Sequence, residues 1–235
     1  MARLPRLSIG GVPHLLVHAG QHAQSVFLDD SDRTLYRNLL GDAARAEQVA
    51  IHAYALLDDQ VRLLVTPATA EGLGRMMQSI GRRYGGAFNR RHGRQGGLWA
   101  GRFRATVLEP ERHLLDAMRY VEDERNWPGV VDDAGPSSSR GHHLGRRPDS
   151  LITDAPAFWA LGNTPFDREA AYRRLLDAGL ALPVRAALEQ AVHAGWPIGS
   201  ATFVEGLSAR TARRLAPLKR GRPSKSPPAT PSDPN

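Results

Sequence analysis

The stretch Ala50-Ile-His-Ala-Tyr-Ala-Leu-Leu-Asp-Asp-Gln-Val-Arg-Leu-Leu-Val-Thr66 decides the fold class. Two apolar runs, Ala50 to Leu57 and Val61 to Thr66, are separated by a short polar turn at Asp58-Asp59. Such runs favour extended backbone, and a link this short suits a hairpin, so two antiparallel strands are expected here. His52 and Tyr54, two residues apart, would then share one strand face.

Working outward, Val12-Pro-His-Leu-Leu-Val-His18 reads as a first strand. Asp29-Asp30-Ser31-Asp32 then offers N-cap side chains for a helix running to about Glu47, with Leu35, Leu39 and Leu40 on its apolar side. Beyond the hairpin, Leu73, Met77, Ile80, Tyr84 and Phe88 recur at helical spacing and predict a long helix from about Ala70 to His92, weakened at Gly85-Gly86. Residues 97–108 alternate as a further strand. A helix starting near Glu109-Pro110 carries Leu114, Leu115, Met118 and Val121. Strand, helix, two strands, helix, strand and helix describe an α+β fold: an antiparallel sheet with helices on one face.

The expected organisation is a DNA-binding domain over 1–133, a Gly-, Ser-, Arg- and Pro-rich linker over 134–153, a helical C-terminal region over 154–216 and a basic, Pro-rich disordered tail over 217–235. Helical segments are expected at about 154–161, 166–179, 183–195 and 200–215. Cysteine is absent, which excludes a disulfide framework, a thiolate metal site and a cysteine nucleophile. No run approaches the ~18 apolar residues of a membrane span, so a cytoplasmic, nucleoid-associated protein with no membrane partner is expected.

Charge placement says more than the net +7. Residues 71–106 carry Arg75, Arg82, Arg83, Arg90, Arg91, Arg94, Arg102 and Arg104 against one acid, Glu71. A second block, 209–225, has seven Lys or Arg and no acid. The planar guanidinium fork suits phosphate oxygens and base edges, so the clustering points to a polyanion. A solvated basic face is the plainer account. Within the second block, Arg220-Gly-Arg222-Pro resembles the core of an AT-hook that fits a narrow minor groove. Trp99, beside Gly96-Gly97 and Arg102, is the best candidate to stack on an unpaired base. His142-His143 reads as a pair of solvated loop histidines.

An ordered set of short stretches resembles the REP-associated tyrosine transposases, within the single-tyrosine HUH transposases. These are Met1-Ala-Arg-Leu-Pro-Arg-Leu7, Ile51-His-Ala-Tyr54, Leu63-Leu-Val-Thr-Pro67, Arg75-Met-Met-Gln-Ser-Ile-Gly-Arg-Arg-Tyr84 and Phe88-Asn-Arg-Arg-His-Gly93. Trp99-Ala-Gly-Arg-Phe-Arg104, Met118-Arg-Tyr120 and Ala160-Leu-Gly-Asn-Thr-Pro-Phe166 complete it. The resemblance implies a ferredoxin-like sheet, often a homodimer, and action on hairpin or single-stranded DNA of REP type. It implies Tyr120 as the nucleophile equivalent, with Mg or Mn held by a His-hydrophobic-His pair whose i, i+2 spacing on a strand converges two imidazoles.

Here that pair reads Gln60-Val-Arg62, and the Asn four residues after the tyrosine is Glu124. A guanidinium has donors only and a fixed positive charge, so Arg62 cannot ligate a cation. Gln60, Arg62 and Glu124 are therefore degenerate metal positions. The residues expected to bind DNA are Arg75, Arg82, Arg83, Arg90, Arg91, Arg94, Trp99, Arg102, Arg104, Arg220 and Arg222. The expected function is transposase-like DNA binding with metal-dependent cleavage impaired. The alternatives are an active endonuclease using Tyr120 with a rebuilt site, or an RNA-binding or regulatory protein.

Overall fold

The computed structural model describes residues 5–123 and 137–217. The hairpin forms as β2 (Val49–Leu57) and β3 (Gln60–Pro67). β3 also pairs with β1 (His14–Ala19), and β1 with β4 (Arg104–Val107), giving a four-stranded antiparallel sheet of order β2-β3-β1-β4. α1 (Asp30–Ala46) links β1 to β2, and α2 (Gly72–Arg91) links β3 to β4. This is the expected α+β, ferredoxin-like arrangement. Asp29 caps α1 by accepting from the Asp32 N–H, as the run of acids foretold. Gly85-Gly86 stays within α2.

Alternation along the strands divides the interior in two. Leu16, Tyr54, Val61, Leu63 and Val65 face α1 and α2, meeting Tyr36, Met76, Met77, Ile80 and Tyr84. Leu15, Ala53, Ala55 and Leu64 face the other way, onto α3 (Pro110–Glu122), α5 (Pro156–Trp159), α6 (Pro165–Ala178) and α7 (Leu182–Ala194). α1 and α2 cover one face, whereas α3, also expected on that face, joins the C-terminal helices on the second. The helical region expected at 154–216 thus shares a core with the sheet, through Phe158, Tyr172, Leu188 and Val192.

Three local expectations need correction. The strand over 97–108 shortens to 104–107, because Gly96 (φ 88°) and Gly101 (φ 86°) take left-handed backbone and turn the chain. His52 and Tyr54 do not share a face: the register slips between Ile51 and Ala53, turning His52 towards Thr153 O and Thr66 Oγ1 while Tyr54 stays on the α1 side.

Thirdly, residues 137–153 are packed rather than a free linker. Leu56 N–H donates to Ser137 O and Ser139 N–H to Tyr54 O, which caps the outer edge of β2. α4 (Arg140–His143) follows, and Asp149 accepts from Tyr54 Oη (2.6 Å) and Arg37 (2.5 Å). At the opposite edge, Ile198 bonds Val107 O and the Glu109 N–H, just before α8 (Ala201–Ser208). The tail expected at 217–235 lies, but for Pro217, outside the described residues, as does Glu124.

Candidate nucleic-acid interface

The arginines of 71–106 do not share one role, because their positions on α2 differ. Arg75 and Arg82, seven residues apart, lie on one side of the helix. They line a cavity of about 590 Å³ together with Arg6, His18, Arg102 and Phe103. A second cavity of about 490 Å³ shares Arg6, Arg102 and Phe103 and continues past Arg104, His193, Arg213 and Arg214. The two make one trough along the β4 side of the molecule. Seven arginines line it, against a single acid, Glu71.

Several of these guanidiniums are held in place by the fold. Arg6 stacks 3.8 Å over the Phe103 ring and donates to Phe103 O. Arg104 donates to His193 O (2.9 Å), and Arg213 to Pro5 O (2.6 Å) and Gly195 O (2.7 Å). Carbonyl partners orient a guanidinium without neutralising it. Arg75 pairs with a carboxylate, Glu47, at 2.5 Å.

The other arginines of α2, and Arg94 just beyond it, do not line the trough. Arg91 bridges Asp29 and the buried Asp32 at 2.6 Å each, tying the end of α2 to the start of α1. Arg94 donates to Gln24 Oε1 and Arg83 lies 3.7 Å from Asp42, while Arg90 is exposed away from the trough. Trp99 is not open to a base on both faces. His18 stacks on it at 4.0 Å, with Tyr36 and Tyr84 against its other sides, although the ring borders the trough. Burial lowers the His18 pKa to about 4, so this imidazole is a neutral prop.

Tyr120 belongs to the opposite face of the sheet. It sits on α3 with 4% of its surface exposed, and Arg62 from β3 lies 4.7 Å over its ring. Arg62 Nη1 also donates to Tyr120 O at 3.3 Å. The spacing on β3 brings position 62 to the tyrosine. What stands there is a donor-only cation. Burial raises the phenol pKa, which Arg62 and Arg185 oppose and Glu189 reinforces, and both Arg185 and Glu189 come from α7. Gln60, at the start of β3, pairs with Ala19 and Leu57. The sheet separates Tyr120 from Arg75 and Arg82, so the expected site residues divide between two places. Arg220 and Arg222 lie outside the described residues.

Sequence reasoning missed a buried polar centre next to Tyr120. Glu122 is fully buried and accepts from Tyr172 Oη (2.8 Å), His143 Nδ1 (2.7 Å) and the Ser139 hydroxyl. His143 is fully buried, not solvated. The adjacent histidines carried the only signal, and their loop-like surroundings concealed it.

Among solved structures, one described as the REP-associated tyrosine transposase bound to a REP hairpin matches 67% of this chain and 96% of its own, with TM-score 0.50 and 17% identity. The fold is that of a tyrosine transposase. A second structure, assigned as a transposase of Deinococcus radiodurans, matches 49% of this chain and 90% of its own at 21% identity and TM-score 0.35. No protein-family model and no curated protein matches the chain. Among the described residues no helix is long and apolar enough to cross a membrane.

Proposed function

We propose that the chain is a transposase-like DNA-binding protein that holds hairpin or single-stranded DNA in the arginine-lined trough and does not cleave it by the metal-dependent route. The trough carries this reading. A groove with seven guanidiniums and one carboxylate suits a phosphate backbone, and the arginines already anchored on carbonyls lose little freedom on binding. The REP hairpin of the structurally similar transposase makes a DNA hairpin the first ligand to try.

The loss of cleavage rests on Arg62 and Tyr120. The residues present do not fit the Mg or Mn that the resemblance implies. Arg62 offers no lone pair and lies against the phenol ring, where its charge repels a cation. Burial of the ring also raises the phenol pKa, which disfavours the phenolate that would attack a phosphate. Arg62 would have to leave that ring before it could touch DNA.

Two assays test the reading. Binding to a REP-like hairpin should survive EDTA and weaken steeply with salt, and Arg82→Glu with Arg102→Glu should weaken it by at least ~10-fold and flatten the salt slope by about two. Unchanged affinity in that double variant refutes the trough. A covalent protein–DNA adduct with Mg²⁺ or Mn²⁺, absent from Tyr120→Phe, establishes the active endonuclease instead. Competition between a DNA hairpin and RNA of equal length separates the DNA reading from an RNA-binding one.

A further inference from the structure

We infer that His142, His143 and Asp154 form a divalent-cation site of the Zn(II) class, distinct from the β3 positions and independent of the nucleic-acid reading. One ligand atom from each lies within 4.8 Å of the others. Proximity alone proves little, since such groups often pair with one another. The second observation is the state of His143. Its ring is fully buried, Nδ1 is engaged by Glu122 at 2.7 Å, and Nε2 has no hydrogen-bond partner.

A carboxylate at Nδ1 fixes the hydrogen there and leaves the Nε2 lone pair bare. Leaving such an atom dry and unpaired is costly. That lone pair faces Asp154 Oδ1, another acceptor, 3.8 Å away. Two acceptors that face each other without a hydrogen between them call for a cation. The carboxylate–imidazole–metal relay is also how ligating histidines are usually oriented, and Tyr172 and Ser139 hold Glu122 in turn.

His142 completes the set at a cost. Its Nδ1 accepts from the Asp149 N–H at 3.0 Å, so the neutral ring carries its hydrogen on Nε2, towards Asp154 Oδ1 at 3.2 Å. Ligation through Nε2 moves that hydrogen to Nδ1 and gives up the amide contact, with no proton released. Two imidazoles and one carboxylate suit a borderline first-row ion, leaving a further position for water. That position faces a cavity of about 330 Å³ bordered by His142, Asp154 and Glu169.

The ion would join three separate pieces of chain: α3 through Glu122, α4 through the histidines, and the 152–154 segment beside β2. Glu122 follows Tyr120 by two positions on a helix, so the two side chains point to different sides of α3. The site therefore clamps the C-terminal region and does not polarise a phosphate at Tyr120.

The test is titration of the purified full-length chain with Co(II), followed by displacement with Zn(II). The expected result is one Co(II) per chain with the visible absorption of a four-coordinate ion, and a higher Tm with Zn(II). Glu122 and His143 are fully buried, so the partly exposed His142 and Asp154 carry the test. Asp154→Asn and His142→Gln should abolish the absorption with far-UV circular dichroism unchanged, and a folded Glu122→Gln should bind about 10–100-fold more weakly. No stoichiometric binding by the unaltered chain overturns the proposal. So does a Co(II) spectrum that persists in both Asp154→Asn and His142→Gln.

Discussion

At the scale of single residues, two buried side chains have measurable consequences. His14 is fully buried, donates from Nδ1 to Val12 O at 2.7 Å and accepts the Ile9 N–H at Nε2, which stabilises the neutral ring. Burial lowers its pKa to about 4. The unfolded chain, with His near 6.5, binds more protons between those values, so the neutral ring's contribution is intact above pH 6.5 and is lost as pH falls towards 4. The loss is on the order of 3 kcal/mol for this ring. Urea denaturation from pH 7 to 4 should show the decline, and His14→Gln should make it shallower, the remainder coming from His18 and His52, whose pKa values burial also lowers. Arg62 is the second case. Its Nε is buried without a partner, so its guanidinium is held at a desolvation cost. Arg62→Met keeps the bulk against Tyr120 and removes that cost; stability should change by under ~1 kcal/mol or rise. A large loss in urea would show that the contact with the Tyr120 ring and carbonyl outweighs the burial of charge.

At the scale of elements, the arginines of α2 fall into two groups with opposite expected phenotypes. Arg91→Ala cuts the tie from α2 to Asp29 and Asp32 and should lower the Tm while leaving DNA affinity unchanged. Arg82→Glu should do the reverse. Thermal melts and gel shifts on the same preparations distinguish them, and a drop in affinity for Arg91→Ala would return that residue to the interface. The sequence could not separate the two, because both are arginines on a helix and the difference lies in which acids the tertiary fold brings near. The hairpin, α1, α2, α6, α7 and the Asp29 cap were legible because periodicity and capping are local properties, whereas the helices expected over 154–161 and 200–215 shorten to Pro156–Trp159 and Ala201–Ser208. The short β4 was not legible, since two glycines in left-handed backbone outweigh a run of alternating residues. The resemblance singled out Arg62 and Tyr120 separately; that the two meet is a property of the tertiary fold. The burial of Tyr120 was not legible either, because α7, some 60 residues on, supplies it. The same distance in sequence hid His143, whose Glu122 and Asp154 partners come from other segments.

For the whole molecule, the sheet has no face free to solvent. Residues 1–133, expected as a self-standing DNA-binding domain, share their second core with Phe158, Tyr172, Leu188 and Val192. A chain ending at 133 bares Leu15, Leu64, Leu114 and Met118 and should aggregate or lose cooperative unfolding, as size exclusion and calorimetry would register. A soluble, cooperatively melting 1–133 fragment would show instead that the C-terminal helices are an accessory layer.

Both rims of the sheet are also occupied. The 137–139 segment hydrogen-bonds along β2, and Ile198 does so along β4. Unpaired rim amides are the usual invitation to a neighbouring strand, and here the chain has answered it internally. Where these contacts are made, the same amides and carbonyls are closed to a strand from a second copy. A pair of copies gathered on one strand of DNA, with no sheet-to-sheet seam between them, would fall apart when nuclease removes the nucleic acid.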